Sequence, residues 1–478
     1  MPLVLGVDSS TRSTKIEVRD ADGGHLLASG RAPHPPVRPP RSEQDPGAWW
    51  DALASAIASI DVREVAAISV AGQQHGMVAL DGAGNVLRPA KLWNDTESAP
   101  EAEDLVRRYG PARWAKACGS VPVAAFTVTK LAWLARHEPR LLERLDAVLL
   151  PHDYLTFRLT GRRVTDRGDA SGTGYWSPFD ERWLPDLLGR VIEAVPGDAW
   201  AAKLPQVLGP DEPSDWVSAS VWARLGLKGR PLVGPGTGDN MAAALAIGLR
   251  PGEVMVSIGS SGTVATVSDT PVADTEGAVA GFADATGRFL PLVCTLNAIG
   301  VTQAFARLLG VDRAELDELA LAAPPGANGI VLVPFLDGER TPDRPKATGV
   351  LSGLRSNARR EDVARAAFEG VICGLLEGYD ALRRMGTVGR RPRIVLVGGG
   401  SRSVAYRQLL ADLSGLAVTV PDIEPVAAGA CVQAAAVLHA TSPVEVAGAW
   451  GLGLGEVVEP RDGVDPDAVR AAYTAARG

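Results

Sequence analysis

The sequence predicts a two-domain α/β protein in which one structural unit occurs twice. Leu3–Val7 is an apolar strand that enters a hydroxyl-rich turn and a returning strand, and the same order recurs from Glu253 to Val267. Other apolar strands alternate with segments of helical period, which is the pattern of α/β folds. The chain has 478 residues, more than a single hydrophobic core normally serves. We therefore expect two related halves with a cleft between them.

Composition excludes several classes of function. The net charge is −8 and the pI is near 5.4, and no basic run is long enough for a nucleic-acid site. No apolar run approaches membrane-spanning length, and the first residues lack the features of a secretion signal. The cysteines form no CxxC pair, so neither a zinc site nor a disulfide scaffold is expected; they are Cys118, Cys294, Cys373 and Cys431. We expect a cytoplasmic globular protein that binds neither nucleic acid nor membrane.

The first turn, from Asp8 to Lys15, carries groups suited to phosphate. It offers backbone N–H groups, the hydroxyls of Thr11 and Ser13, and one ammonium group. It is not a P-loop, because the pattern GxxxxGK[ST] does not occur in the sequence. Ordinary hairpin chemistry accounts for the hydroxyls equally well. The turn is therefore a candidate site for phosphate or metal-bound phosphate, with a structural alternative.

Two later turns place polar side chains beside a large apolar one, just after a predicted strand. The first follows the strand Ala66–Ala71, and the second follows a predicted hairpin from Val78 to Leu87. Ligands of open α/β sheets lie at strand ends, and a small polyol needs hydrogen-bonding groups and an apolar wall. A structural histidine and a core tryptophan are the alternative. The candidates are Gln74, His75, Met77, Trp93, Asn94 and Asp95.

The following region predicts mainly helices. They are expected at Pro46–Ile60, Glu101–Tyr109, Thr129–His137, Pro139–Leu145 and Asp180–Val195. Between them, a turn is expected in Val148–Tyr154, a polar connection in Thr165–Thr173 and a loop in Pro205–Trp216.

The stretch from Gly234 to Asn240 is the centre of the predicted site. Its alternating glycines let a ligand approach the backbone closely. The alanine-rich segment Met241–Ala246 that follows is a strong helix former. Asp239 and Asn240 therefore stand at the start of a helix, on a bare loop. A helix cap without further function is the alternative, since Asp and Asn are favoured there.

Two glycine-rich turns in the second half are candidates for nucleotide binding. The turn Gly259–Thr263 joins the strands of the repeated hairpin. The turn Gly398–Ser403 joins a predicted strand, Ile394–Val397, to a predicted helix, Tyr406–Leu413, and such turns suit nucleotides. It lacks GxGxxG, so a dinucleotide-binding Rossmann domain is not indicated. Between these turns lies the longest predicted helix, Asp362–Arg384.

That helix carries three glycines, Gly370, Gly374 and Gly378, spaced four apart on one face. A glycine inside a helix costs about 1 kcal/mol relative to alanine. The spacing therefore predicts that another backbone packs closely against this face.

Taken together, these motifs resemble the FGGY family of carbohydrate kinases over nearly the whole chain. Gly349–Leu354 and Asp362–Glu369, separated by seven residues, fit the family's C-terminal signature. The N-terminal signature around Thr127 and Lys130 fits less fully, because Ala125 stands where a larger residue or glycine is usual. The order of the glycine and hydroxyl turns is also the family's.

The resemblance implies an actin-like ATPase fold: two ribonuclease-H-like α/β domains with a catalytic cleft between them. It places a sugar-binding FGGY N-terminal domain at residues 1–245 and an ATP-binding FGGY C-terminal domain at 246–478. It implies in-line transfer of the γ-phosphate of ATP to a sugar, with Asp239 as general base. It also implies a Mg²⁺ ion near Asp8, which is thereby both a catalytic and a metal-binding candidate.

The resemblance also divides the remaining candidates between the two substrates. For the sugar they are Gln74, His75, Met77, Trp93, Asn94, Asp95 and Asn240. For ATP they are Thr11, Ser13, Lys15, Gly259, Ser260, Ser261, Gly262, Thr263, Gly399, Gly400 and Ser403.

Within the family, the stretches Gln73–Gly76 and Leu92–Asp95 are similar to members that phosphorylate D-xylulose to D-xylulose 5-phosphate. Glu97 stands where many relatives have arginine, which leaves another sugar or polyol open: ribulose, gluconate, glycerol or a hexulose. A non-enzymatic actin-like nucleotide switch is the alternative of another class, although a switch needs no sugar-facing residues. The resemblance allows a homodimer, and it implies domain closure over bound sugar, with the long helix near the hinge.

Overall fold

The protein is described by a computed structural model covering residues 2–62 and 64–478. Its contacts divide the chain into two compact units. Unit 1 comprises residues 1–248, 269–290 and 423–452, and unit 2 comprises residues 249–268, 291–422 and 453–478. Two later segments of the chain thus belong to unit 1.

The strands of the described residues are β1 (Leu3–Ser9), β2 (Ser13–Asp20), β3 (Leu26–Pro33), β4 (Glu43–Gln44), β5 (Ala67–Gly72), β6 (Val78–Leu80), β7 (Ala90–Lys91), β8 (Ala147–Leu149), β9 (Val164–Asp166), β10 (Trp176–Ser177), β11 (Arg182–Trp183), β12 (Gln206–Leu208), β13 (Asp215–Trp216), β14 (Leu232–Val233), β15 (Thr237–Gly238), β16 (Val254–Ile258), β17 (Gly262–Thr266), β18 (Ala280–Ala283), β19 (Phe289–Thr295), β20 (Val331–Val333), β21 (Val350–Ser352), β22 (Ile394–Val397), β23 (Val418–Val420) and β24 (Glu456–Val458).

The helices are α1 (Pro46–Ala58), α2 (Ala99–Tyr109), α3 (Pro111–Cys118), α4 (Thr127–His137), α5 (Pro139–Arg144), α6 (Pro151–Thr160), α7 (Arg167–Ser171), α8 (Pro185–Val191), α9 (Gly197–Ala201), α10 (Ala219–Arg224), α11 (Asp239–Ala246), α12 (Ile299–Leu309), α13 (Arg313–Ala322), α14 (Arg360–Arg384), α15 (Val404–Ser414), α16 (Pro425–His439), α17 (Pro443–Trp450) and α18 (Pro466–Arg477). Among the described residues, no helix is both long and apolar enough to cross a membrane.

The main sheets of the two units repeat one strand order. In unit 1 the order is β3-β2-β1-β5-β14-β13, and in unit 2 it includes β19-β17-β16-β22-β23-β24. In both, the first three strands are antiparallel, the next two pairings are parallel, and the last is antiparallel. The opening hairpins also match, with Ser9 opposite Thr14 and Ile258 opposite Gly262. The predicted α/β class and the predicted repeat are confirmed.

In unit 1, α16 lies between the main sheet and α11. A side chain at Gly6 of β1 would collide with the carbonyl of Ala427, and one at Gly429 would collide with the carbonyl of Ala242. The backbone of α16 therefore touches β1 on one side and α11 on the other. On the opposite face of the sheet, α1 buries Trp49 as part of the core.

In unit 2, the longest helix is α14, as predicted. A Cβ atom at Gly370 would lie 2.5 Å from the carbonyl oxygen of Leu332, and one at Gly378 would lie 3.0 Å from a Val293 side-chain atom. At Gly374 the nearest atom would be the hydroxyl of Tyr473, at an ordinary 3.5 Å. Close packing of another backbone is confirmed at Gly370; at Gly378 the close neighbour is a side chain, and at Gly374 the contact is an ordinary one.

Four local predictions differ from the structure. Val148–Tyr154 is not a turn but the end of β8 and the start of α6, because Asp153 accepts a 2.8 Å hydrogen bond from the Leu150 N–H. Thr165–Thr173 is not a polar connection but buried β9 and α7. The helix predicted over 180–195 begins only at Pro185, after β11, and the loop predicted over 205–216 contains β12 and β13.

The hairpin predicted from Val78 to Leu87 is present. The Asp81 N–H donates to the Asn85 carbonyl and the Leu87 N–H to the Ala79 carbonyl, each at 2.9 Å, on either side of the bridge between Leu80 and Val86. Its first strand, β6, also pairs antiparallel with β8. The four cysteines are buried and form no disulfide bond among the described residues.

Candidate functional site

The end of β1 places Asp8 beside a cation. Asp8 lies opposite Lys15 on β2, whose Nζ is 3.7 Å from Asp8 Oδ2 and 2.7 Å from Glu424 Oε2. Ser10 donates a hydrogen bond to Asp8 Oδ1. Burial raises the pKa of Asp8, and Lys15 opposes this shift. The turn thus presents a carboxylate, a hydroxyl and an ammonium group in contact with one another.

The glycine stretch leads directly into α11, with Asp239 as its first residue. The cap position belongs to Gly238 and makes no side-chain cap, while Asp239 Oδ1 accepts a 2.8 Å hydrogen bond from the Asn240 N–H. Asp239 thus accepts from an N–H of the first helical turn, and the interpretation of Asp239 as only a helix cap stays an alternative. Gly236 has φ of +80°, a conformation that requires glycine. Burial, with the negative charge of Asp8, raises the pKa of Asp239 to about 7.

Asn240 joins Asp239 to Gln74. The Asn240 Nδ2 group donates to Asp239 Oδ1 and to Gln74 Oε1, each at 2.9 Å. Gln74 Nε2 is buried and has no hydrogen-bond partner among the described residues. A Cβ atom at position 238 would lie 2.8 Å from Gln74 Cγ, so glycine at this position lets the Gln74 side chain pack against the backbone. The structure thus brings together three residues that the sequence assigned to the site.

His75 is held in an unusual backbone conformation. Its φ is +66°, and its Nδ1 lies 2.7 Å from the carbonyl oxygen of Gly172. The ring stacks on Phe126 with centroids 4.9 Å apart, and the Thr127 hydroxyl donates to the His75 carbonyl at 3.0 Å. In the neutral ring, donation from Nδ1 makes Nε2 an acceptor. Positive φ at a residue fixed by its surroundings is common at ligand sites.

Trp93, a sugar candidate, makes a hydrogen bond with Thr11, which the resemblance assigned to ATP. Trp93 Nε1 donates to Thr11 Oγ1 at 2.9 Å, and Thr11 Oγ1 donates to Gln73 Oε1 at 3.0 Å. Ser13 is buried, and its hydroxyl accepts a 3.1 Å hydrogen bond from Arg31. The hydroxyls of Thr11 and Ser13 thus have protein partners, and their assignment to ATP stays a prediction.

Asp95 and Glu97 face a buried lysine. Lys91 Nζ is 3.1 Å from Asp95 Oδ1 and 2.6 Å from Glu97 Oε2, and it lies 3.9 Å from the centre of the Trp133 ring. The other Asp95 oxygen accepts from the Ser42 N–H at 2.9 Å. Lys91 Nζ also lies 3.2 Å from Glu43 Oε1, so one ammonium group is shared among three carboxylates, and Glu97 is held in an ion-pair network within the protein. Asp95 has protein partners for both oxygens, and its sugar-binding role stays a prediction.

The other two sugar candidates differ in what they offer. Met77 is fully buried, and its N–H donates to the Lys91 carbonyl at 2.9 Å. Asn94 has a buried Oδ1 without a hydrogen-bond partner in the described part of the chain. Asn94 Oδ1 is thus a hydrogen-bond acceptor without a partner among the described residues, and Gln74 Nε2 is a donor without one.

In unit 2, the two glycine turns follow the carboxyl ends of the neighbouring parallel strands β16 and β22. A Cβ atom at Gly398, which has φ of +84°, would lie 2.8 Å from the Ile258 carbonyl oxygen, just before the turn that starts at Gly259. Gly399 and Ser260 are exposed. Ser403 caps α15 by accepting from the Tyr406 N–H, and it donates to Asp317 at 2.7 Å. Those contacts account for Ser403, whose role toward ATP stays a prediction.

Family models match both halves of the chain. Residues 3–246 match the N-terminal domain of the FGGY family of carbohydrate kinases, and residues 254–438 match its C-terminal domain. The chain belongs to the FGGY family of carbohydrate kinases. This FGGY kinase is 46% identical over 462 residues to a xylulose kinase of Streptomyces rubiginosus, covering 96% of this chain and 92% of the relative. A xylulose kinase of Streptomyces coelicolor is also 46% identical, with the same coverage.

Solved structures agree with the fold. The xylulose kinase of Bifidobacterium adolescentis is 42% identical with a TM-score of 0.86, covering 100% of this chain and 99% of that chain. A glycerol kinase of Plasmodium falciparum with ADP has a TM-score of 0.86 at 19% identity, covering 100% of this chain and 98% of that chain, and supports the fold alone. The actin-like, ribonuclease-H-like fold is confirmed, as is carbohydrate kinase activity with ATP. A non-enzymatic nucleotide switch is thereby excluded.

Sequence reasoning missed one buried cluster of this FGGY kinase. His152, Asp153, Asp166 and Asp169 come from α6, β9 and α7, the regions predicted to be a turn and a polar connection. All four side chains are buried. Only Arg167 and Gly168 separate the two later acids, and no local signal in the sequence distinguished this cluster from an exposed polar turn.

Proposed function

We propose that this FGGY kinase transfers the γ-phosphate of ATP to D-xylulose and releases ADP and D-xylulose 5-phosphate. The named relatives at 46% identity over 96% of the chain support the sugar. The observation that carries the mechanism is the Asp239 carboxylate, which is joined through Asn240 to the unpaired amide of Gln74. Glu97 does not by itself favour another sugar, because its carboxylate is engaged in an ion pair with Lys91.

The transfer needs a base next to the attacking hydroxyl. Asp239 takes the proton of the terminal sugar hydroxyl while that oxygen bonds to the γ-phosphorus, and the bond to the oxygen bridging to ADP breaks. A pKa of about 7 lets this carboxylate be ionised near neutral pH and still accept a proton. The Asn240 N–H and side-chain amide orient it through Oδ1.

The sugar's other hydroxyls require donors and acceptors nearby. Gln74 Nε2 and Asn94 Oδ1 are buried polar atoms without partners among the described residues, and leaving such groups unpaired costs about 1–3 kcal/mol each. A polyol that bonds both would remove this cost. His75 would add an acceptor and Trp93 an apolar wall.

Mg²⁺ fits the residues around Asp8. The carboxylate is a hard oxygen ligand, and its charge raises the pKa of Asp239, so a cation beside it would relieve this repulsion. When bound, Mg²⁺ supplies neutralisation of the phosphate oxygens. Lys15, in contact with Asp8, adds a second positive charge.

The glycine turns of unit 2 would bind ATP. Gly259–Thr263 would face the phosphates through backbone N–H groups, and Gly399, Gly400 and Ser403 would lie toward the adenosine. The proposal assigns the sugar to the N-terminal domain, at residues 1–245, and ATP to the C-terminal domain, at 246–478. A homodimer and a cytoplasmic location complete it.

ADP release tests both substrate and base. With ATP and Mg²⁺, we expect D-xylulose to give the highest kcat/KM in a panel with ribulose, a hexulose, gluconate and glycerol. Asp239→Ala is expected to lower kcat about 10²- to 10⁴-fold, because the proton acceptor is lost. A higher kcat/KM with another sugar would refute the substrate assignment, and full turnover in the variant would refute the base.

The matched control is Asp284→Asn, which changes a buried carboxyl of unit 1 whose oxygens accept from Thr286 and Arg288. Because Asp284 has no place in the proposed chemistry, its variant is expected to keep turnover with the preferred sugar.

A further inference from the structure

A buried histidine of α6 is surrounded by three carboxyl groups. His152 Nε2 lies 3.1 Å from Asp153 Oδ1, 3.3 Å from Asp169 Oδ2 and 3.4 Å from Asp166 Oδ1. None of the four side chains is more than 3% exposed. A single N–H cannot point at all three oxygens, and His152 Nε2 has no well-formed hydrogen bond within the described residues, so the cluster is held mainly by charge.

The histidine is the cation of this cluster. Burial on its own would lower the pKa of His152, but the negative charges of Asp153, Asp166 and Asp169 outweigh it and raise the pKa to about 9. Burial raises the pKa of both Asp153 and Asp169, and His152 opposes these shifts. The neighbouring phenol of Tyr175 is buried and uncharged, because burial raises its pKa.

The cluster supports the glycine stretch that ends at Asp239. Asp166 Oδ2 accepts a 2.8 Å hydrogen bond from the Thr237 hydroxyl. A side chain at Gly236 would collide with His152 Nδ1, so the backbone of the stretch rests against the imidazole ring. Asp169 is also close enough to Asp239 for the charges to repel. Contact and charge thus both connect His152 with the residues preceding α11.

We propose that His152 is a positioning residue, whose buried positive charge holds the three carboxylates together and thereby fixes Gly236 and Thr237 so that Asp239 is aimed at the sugar hydroxyl. The proposal rests on the proposed role of Asp239. His152 acts through the loop, since its ring lies against the glycine backbone at Gly236.

Two variants separate the charge from the shape of the ring. His152→Gln loses the cation, and we expect its kcat to fall about 10- to 100-fold, the effect of a small misplacement of a catalytic group, with the KM for ATP unchanged. His152→Lys also loses the ring but keeps the cation, and it is expected to regain most of the kcat. Unchanged kcat in His152→Gln, or equal losses in both variants, would overturn the proposal.

The pH profile adds a readout that a purely structural role would not move. Wild-type kcat is expected to fall as the pH rises through about 9, because His152 then loses its proton. In His152→Lys this alkaline limit should move upward, since a lysine normally has a pKa near 10.4 and the same carboxylates favour its charged form. Identical alkaline limits in the two proteins would contradict the proposal.

A double variant covers the case in which His152→Gln does not fold. In His152→Gln/Asp169→Asn, one acid is removed along with the cation, and we expect folding, measured by circular dichroism, to return. If the double variant does not fold but His152→Lys does, the role of the positive charge is still supported. If neither variant folds, the proposal is overturned. The series uses any sugar that the kinase phosphorylates, so loss of the xylulose assignment leaves it valid. Full turnover in Asp239→Ala would refute the base separately.

Discussion

The carboxyl of Asp239 lies in surroundings that favour its protonated form. Burial and the charge of Asp8 raise its pKa to about 7, whereas an unfolded aspartate has a pKa near 3.9. The native state therefore binds a proton that the unfolded chain releases. As the pH rises from about 4 to 7, this difference lowers the free energy of unfolding. The environment that suits Asp239 to its proposed role as general base thus makes its ionised form a cost to stability.

Activity and stability should respond to pH in opposite directions. We expect kcat/KM for the sugar to fall as the pH decreases through about 7, because the base becomes protonated. Urea unfolding at pH 7.5 should show Asp239→Asn to be more stable than the wild type by about 1–2 kcal/mol, less than the whole shift implies because the carboxyl is partly exposed.

At pH 4 the wild type and Asp239→Asn should unfold at nearly the same urea concentration, since both side chains are then neutral. An equal stability difference at both pH values would show that packing, and not ionisation, distinguishes them.

Residues of the site were predictable where they follow a strand or stand among glycines. Asp239, Asn240 and Gln74 were found in this way, and the structure joins them by hydrogen bonds. His152 and Asp169 were not found. Their carboxylate and imidazole groups meet only after α6 and α7 have packed together, and nothing in the local sequence distinguishes a buried charge from an exposed one.

At the scale of elements, glycines mark where a helix backbone touches its neighbour. In α14, close contact occurs at Gly370 and Gly378 but not at Gly374, although the spacing is uniform. The helical period predicts which residues share a face, but it does not predict which part of that face another strand crosses. Helices were therefore predicted well where their faces are apolar, and poorly in 148–173, where polar groups are buried.

The glycines of α14 provide a matched pair of substitutions. Gly370→Ala should lower the free energy of unfolding by about 1–3 kcal/mol, because its methyl group would press on the Leu332 carbonyl. Gly374→Ala meets only the Tyr473 hydroxyl at 3.5 Å and should raise stability by up to about 1 kcal/mol through helix propensity. Chemical denaturation measures both, and equal effects would contradict the assigned packing.

At the scale of the whole molecule, the chain leaves and rejoins unit 1. Residues 423–452 return to it and supply α16, which packs on β1 and α11. The two hairpins predicted the repeated strand order. The return of residues 423–452 to unit 1 was not predicted, because sequence order does not show which sheet a helix late in the chain will cover. A boundary at 245/246 describes the family domains more closely than the packed units.

A fragment ending at residue 248 is therefore expected not to fold stably. It lacks α16, so the apolar face of β1 and β5 and one side of α11 would be open to water. Fusing residues 423–452 to this fragment through a flexible linker should restore protection of β1 amides in hydrogen exchange. Equal protection with and without the fused segment would show that α16 is dispensable for unit 1.

The reactivity of the cysteines of this kinase reports local opening of the structure around them. Cys118 and Cys431 belong to unit 1, and Cys294 and Cys373 to unit 2. All four are buried, and none forms a disulfide bond within the described part of the chain. Burial raises the pKa of Cys118 to about 12, so little thiolate exists in the native state at neutral pH. A thiol reagent reaches each of them only when the surrounding structure loosens. The pattern of labelling therefore distinguishes local opening of unit 1 from local opening of unit 2, without any introduced cysteine.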